Sequence, residues 1–171
     1  FPEDVFLWNM KAAASLKLGK YTESLLAFQR VEKLQPKSHA ACFNIAKVFF
    51  ETSQFDSAIR SLDKSIKLNP NYFKAYDLKI RALYRSNKIE EAIKLSKLVL
   101  NKNPKFDTFQ NNLGIIYKET QQYLLALNCF KSAVQLKPKN YQYRLNLADS
   151  EFELFRFKSA LKNYQLIVSN G

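Results

Sequence analysis

The sequence is poor in the residues that build catalytic and disulfide-held proteins. Its 171 residues include three glycines, two cysteines, one histidine, one tryptophan and one methionine. So few glycines exclude a collagen helix and leave no glycine-rich loop to cradle phosphate. Cys42 and Cys129 cannot staple a small secreted scaffold. With His39 as the single histidine, a histidine-based metal cluster cannot be assembled within the chain, and a Ser-His-Asp triad would have to be built on His39 alone, at the start of a predicted helix. No apolar run approaches the roughly 18 residues that cross a bilayer, so no membrane insertion is expected. The N-terminal stretch FPEDVFLWNM has acids where a secretory signal has bases, and there is no Asn-x-Ser/Thr sequon. The expected location is cytoplasmic. Apolar residues, at 47%, and charged residues, at 25%, suit a packed core rather than a disordered chain. Bases outnumber acids 27 to 15, and the net charge of +12 makes an acidic partner worth testing.

All five prolines fall in one register: Pro2, Pro36, Pro70, Pro104 and Pro138, at steps of 34 residues. A period of this length signals a helical repeat. Other columns keep the step. A small residue recurs at Ser24, Ala58, Ala92, Ala126 and Ala160, followed by Leu25, Ile59, Ile93, Leu127 and Leu161. Three positions before the small residue stand Tyr21, Phe55, Ile89, Tyr123 and Phe157. Within each unit, apolar residues return at three- and four-residue steps in two runs, as Leu113, Ile116, Tyr117 and then Leu127, Phe130, Val134 show. Only Glu119-Thr120-Gln121-Gln122 separates these two runs, so the helices must fold back antiparallel. Pro36, Pro70, Pro104 and Pro138 then end the first four second helices, because proline lacks a donor and restricts its predecessor. The pattern predicts first helices near 5–18, 39–52, 73–86, 107–120 and 141–154. Second helices are predicted near 21–34, 55–68, 89–101, 123–136 and 157–169.

With this pattern the chain resembles the tetratricopeptide repeat family, over essentially its whole length. Trp8, Ala12, Phe28 and Pro36 match the family pattern in the first unit, and Leu113, Gly114, Tyr117, Ala126, Phe130, Ala133 and Pro138 match it in the fourth. Ile80 departs from it where a small residue is usual, and Ser96 where a large apolar one is. The resemblance implies an all-α fold, a right-handed α-solenoid of antiparallel helix pairs, with first helices lining the concave face. It implies one array over 1–171, with units 5–38, 39–72, 73–106, 107–140 and 141–171 and residues 1–4 as the trace of a preceding unit. Leu161, Ile167 and Val168 would lack a capping helix, so the expected chain is a piece of a larger protein, with end-to-end self-association as the alternative.

No catalytic constellation is present, and neither an enzyme nor a cofactor is expected. His39 reads as a solvent-exposed helix start, Cys42 as core and Cys129 as half-buried. The groove side of the first helices, opposite the core columns, is expected to hold the binding residues: Asn44 and Lys47, then Lys74, Asp77, Arg81 and Arg85, then Asn111 and Asn112, and finally Asn146. Asn44, Asn112 and Asn146 share one column, interrupted by Met10 and Leu78. An amide offers donor and acceptor together, so such a row can pair with an extended peptide backbone. The row resembles the asparagine ladder of the tetratricopeptide arm of the O-linked N-acetylglucosamine transferase and the asparagines of peroxisomal targeting receptors. The dicarboxylate clamp of chaperone-binding family members is matched only by Asn44 and Lys74, while Asn9, Ala13 and Leu78 depart from it. The third unit has nine bases and three acids, but Lys88, Lys94, Lys97, Lys102 and Lys105 read as a solubilising coat. No continuous basic track with stacking aromatics is visible, which argues against nucleic acid. The expectation is a non-catalytic scaffold that binds a protein or peptide, with acidic segments, in its concave groove. The alternative is the substrate-targeting arm of a larger enzyme such as a glycosyltransferase.

Overall fold

The structure is a computed structural model and describes residues 4–169, so Pro2 and Gly171 lie outside the described residues. Those residues form ten α-helices and no strand: α1 Val5–Lys17, α2 Tyr21–Leu34, α3 His39–Glu51, α4 Phe55–Leu68, α5 Phe73–Arg85, α6 Ile89–Lys102, α7 Asp107–Glu119, α8 Tyr123–Leu136, α9 Tyr141–Glu153 and α10 Phe157–Val168. Every boundary lies within one residue of the range predicted from the 34-residue pattern.

The turns repeat as faithfully as the helices. Each first helix ends at a residue in the left-handed region: Gly19 at φ 72°, Ser53 at 57°, Asn87 at 63°, Gln121 at 60° and Phe155 at 58°. The next amide reaches back five residues, as Lys20 N does to Ser15 O at 2.9 Å and Gln54 N to Phe49 O at 2.8 Å. This closure satisfies a carbonyl that the helix end leaves open and reverses the chain within three residues. Helix starts are capped where the sequence supplies a short polar side chain. Asp4 accepts from Phe6 N and Leu7 N, Ser38 from Ala41 N, and Asn140 from Gln142 N and Tyr143 N.

The chain divides into two compact units, residues 1–92 and 93–171, with the division inside α6. In the first, α1 packs on α2, α3 on α2 and α4, and α5 on α4. Ala12, Ala27, Phe28, Ile45 and Val48 form one part of its core, and Ala46, Ala58, Leu62, Ala75, Leu78 and Ala82 the other. Leu78, which interrupts the asparagine column, is thus a core residue of α5. In the second unit α7 packs on α8, α8 on α9 and α9 on α10. Its packing depends on the small columns. Gly114 lies against Phe130 so closely that an added Cβ would stand 2.6 Å from the ring. Ala126, Ala148 and Ala160 are fully buried. Ile80 and Ser96, the departures from the family pattern, are both buried.

Candidate functional site

In the first unit the groove residues of α5 lie at steps of three and four, so Lys74, Asp77, Arg81 and Arg85 form one stripe. Lys74, Arg81 and Arg85 are exposed; Asp77 is half-buried, as are Asn44 and Lys47 on α3. Arg81 reaches Asp77 at 3.9 Å and stacks on Phe50, its Cζ 4.9 Å from the ring centroid. Arg85 lies over Phe55 at 5.6 Å. A guanidinium held by its face on a ring keeps its in-plane donors for an acceptor. Among the described residues no carboxylate stands in ion-pair range of Lys47, Lys74 or Arg85, and the Asn44 amide makes no hydrogen bond. This surface can attract and orient carboxylates. Sequence reasoning missed the aromatic floor of Phe50 and Phe55 beneath the arginines; the signal available was Phe50-Glu51 followed by Phe55.

The second unit treats its groove residues differently. Asn111 and Asn146 are 7% and 9% exposed, and Asn146 Nδ2 donates to Asn111 Oδ1 at 2.8 Å. Gln142 Nε2 donates to Asn146 Oδ1 at 3.2 Å. Asn146 therefore uses both functions of its amide inside the fold, tying α9 to α7, while Asn112 is half-buried. Asp149 accepts from Lys118 Nζ and from Tyr164 Oη, each at 2.9 Å. Burial, that bond and the charges of Asp149 and Glu153 push the Tyr164 phenol up to about 12. Glu119 and Glu153 are exposed beside this network.

The remaining reactive side chains are quiet. Cys42 is buried with its thiol facing Glu32 Oε1 at 3.7 Å, and burial followed by the Glu32 charge raises its pKa. Cys129 is half-buried, and burial pushes its thiol up to about 11, against a small lowering by Lys97. Neither is a ready thiolate at neutral pH. His39, expected in solvent, is half-buried instead: its ring meets Tyr72 edge-on at 4.8 Å, and its carbonyl accepts from Ser65 Oγ at 2.8 Å. Among the described residues no group of three or more His, Cys, Asp or Glu side chains could hold a metal ion, and no helix is long and apolar enough to cross a membrane.

Tandem helix hairpins with a left-handed turn residue, small packing columns and a polar first-helix face define a helical-repeat protein. The chain belongs to the tetratricopeptide repeat family. The family model of the Psidin N-terminal tetratricopeptide repeats region matches residues 44–162, and a general tetratricopeptide repeat model matches 9–72. Among solved structures, PilF of Pseudomonas aeruginosa superposes with a TM-score of 0.83 at 17% identity, over 98% of this chain and 76% of that one. MamA 41-end from Desulfovibrio magneticus RS-1 gives 0.81 at 19%, over 97% and 94%. Both place the fold as an all-α solenoid of this family.

Curated relatives include the N-terminal acetyltransferase A complex auxiliary subunit NAA15 of Arabidopsis thaliana, 23% identical over 66% of this chain and 13% of its own length. The BBSome complex member BBS4 of Bos taurus is 22% identical over 94% of this chain and 31% of its own. The small glutamine-rich tetratricopeptide repeat-containing protein 2 of Saccharomyces cerevisiae is 29% identical over 58% and 28%. The chain thus spans between about an eighth and a third of the length of these relatives.

Proposed function

We propose that the five hairpins act as one non-catalytic scaffold that binds a protein segment, of acidic character, along its first helices. The observation that carries this reading is the cluster of Lys47, Lys74, Arg81 and Arg85 on α3 and α5, of which, among the described residues, Arg81 alone has a carboxylate within ion-pair distance, Asp77 at 3.9 Å. Three of these cations are exposed, and two stack on rings that hold them in place. Asn44 and Asn112, both half-buried, would add backbone-directed hydrogen bonds. The Asn111–Asn146 pair would shape the surface rather than read the ligand. Auxiliary subunits and complex members stand among the relatives, which fits a scaffold.

A second reading has a specific support. One relative, 27% identical over 70% of this chain, is the protein O-mannosyl-transferase TMTC3 of Homo sapiens, of which the chain covers 13%. The scaffold would then be the substrate-holding arm of a larger enzyme. A catalytic domain in the full reading frame would favour this arm.

The test is titration calorimetry with acidic extended peptides selected by display, against scrambled and basic controls. Lys74→Glu with Arg81→Glu should weaken binding at least tenfold at low salt, and by less as salt rises and screens the charges. Asn44→Ala with Asn112→Ala should cost about 1–3 kcal/mol, from about 0.5–1.5 per hydrogen bond, with little salt dependence. If both variants stay helical and bind like the parent, the groove is not the binding surface.

A further inference from the structure

Arginine is the rarer base of this chain. Arg30, Arg60, Arg81, Arg85, Arg144 and Arg156 stand among 27 lysines and arginines. Arg81 and Arg85 lie one turn apart on α5, both exposed, over the rings of Phe50 and Phe55 at 4.9 Å and 5.6 Å. In the other units these two repeat positions hold at most one base, Lys17 in the first and Lys47 in the second. The third hairpin alone presents two guanidinium groups as neighbours on one helix face.

The fold has no evident need of them there. Phe152 and Phe157 fill the repeat positions of Phe50 and Phe55 and meet edge-on at 5.3 Å and 68°, close to the 5.5 Å and 66° of that pair. No guanidinium covers them among the described residues, so the ring pair takes this geometry without arginine. Other arginines give their donors to the fold: Arg144 to Asn163 Oδ1 and Pro138 O, and Arg60 to Ser57 Oγ. Arg81 Nη1 stands 3.9 Å from Asp77 Oδ2, beyond hydrogen-bond length, and no carboxylate is in range of Arg85 among the described residues. Two forks are thus fixed by their faces with their edges open.

The number of forks decides the ligand. A carboxylate offers two oxygens in one plane, which one guanidinium edge fills. A phosphate monoester offers three oxygens and a charge of about −1.5 to −2 at neutral pH, so two neighbouring forks can engage it together. Lys47 and Lys74 add charge along the stripe, and Asp77 and Glu51 are the acids beside it, which leaves an excess of about two positive charges for one such group. Nucleic acid fits poorly, because the ring faces on which a base would stack already carry the guanidiniums. A flat anionic membrane would not reach half-buried Asn44 and Lys47.

We propose that Arg81 and Arg85 together read a phosphorylated side chain in the bound protein segment, with Phe50 and Phe55 as positioning residues that hold the two guanidinium planes. This rests on the acidic-segment reading above and narrows its ligand.

The experiment is anisotropy of a short labelled peptide of glycine and aspartate with one central phosphoserine, titrated with the full chain. The same peptide with aspartate at the centre is the comparison. The phosphoserine peptide should bind at least tenfold tighter. Arg81→Lys with Arg85→Lys keeps the charge at two exposed positions but removes both forks, and should bring the two peptides within about threefold of each other. Phe50→Leu with Phe55→Leu should reduce the preference several-fold in chains that remain folded by circular dichroism. Arg81→Glu with Arg85→Glu should abolish it, whereas Lys94→Glu with Lys97→Glu, an equal change of net charge on α6, should leave it intact. Equal affinity for the two peptides overturns the proposal and leaves the acidic-segment reading standing. A preference that survives Arg81→Lys with Arg85→Lys also overturns it, because charge alone then suffices. If neither peptide binds, both readings fall. Binding to phosphatidylserine vesicles that Arg81→Glu with Arg85→Glu removes, without a phosphoserine preference, overturns it and assigns the arginines to lipid.

Discussion

Three buried serines show how one hydroxyl can help or harm the same fold. Ser24 Oγ donates to Ala12 O and Ser65 Oγ to His39 O, both at 2.8 Å, so each ties a second helix to its first. Ser150, on α9, is fully buried and its hydroxyl has no partner among the described residues. A buried polar group without a partner costs about 1–3 kcal/mol, whereas a made hydrogen bond contributes about 0.5–1.5. Ser150→Ala should therefore raise the urea midpoint, by about 1 kcal/mol of stability, while Ser24→Ala should lower it by a similar amount. Phe155 extends the logic to the backbone. At φ 58° its Cβ crowds the carbonyl, and Phe155→Gly should stabilise the chain by about 1 kcal/mol. A lower midpoint for that variant would mean the ring supports the fold.

At the scale of the helix pair, the α7–α8 contact is set by volume. An Ala at 114 would gain about 1 kcal/mol of helix propensity over Gly, yet its Cβ would press on the buried Phe130 ring. Gly114→Ala should be net destabilising in the parent and stabilising in a Phe130→Leu background, and a double-mutant cycle by denaturant unfolding reads the sign change. The α7–α9 contact is set by charge as well. Asp107 accepts from Tyr143 Oη at 2.8 Å and pairs with Lys137 at 2.9 Å. Burial would raise its carboxyl, but the bonds from Lys137 and Tyr143 outweigh burial and hold it below the usual carboxylate range. A depressed folded value means the contribution is present at neutral pH and lost as pH falls through it. Asp107→Asn should cost about 1 kcal/mol at neutral pH and nothing once Asp107 is protonated, as urea midpoints over a pH series would show.

These elements also show what the sequence could and could not reveal. The 34-residue step was visible because proline and the turn mark every unit at fixed places. The pairing of Asn146 with Asn111 was hidden. It depends on two different columns, and the same two hold Asn9 and Asn44 where the first repeat meets the second, yet there Asn9 Nδ2 donates to Val5 O instead. The aromatic faces were missed for a similar reason: Phe50 and Phe152 stand between the core and groove stripes, and only the packed structure shows which side they take.

For the whole molecule the deciding quantity is the net charge of +12. It destabilises the compact state by self-repulsion. The seven ion pairs among the described residues act the other way, at 2.6–3.9 Å. Salt separates the two by distance. Moving from about 0.01 M to about 0.15 M shortens the Debye length from about 30 Å to about 8 Å. Repulsion between charges far apart on the surface then fades, whereas pairs in contact remain well inside the screening length, and being largely exposed they contribute only about 0–1 kcal/mol each. The melting temperature should therefore rise across that salt range. Peptide binding at the Lys47, Lys74, Arg81 and Arg85 cluster should weaken over the same range, because it gains from the attraction that salt screens. One salt series read by calorimetric melting and by titration should show stability and affinity moving in opposite directions. If both fall together, the contact pairs outweigh the net charge in holding the fold, and the excess of bases has its role elsewhere than in the groove.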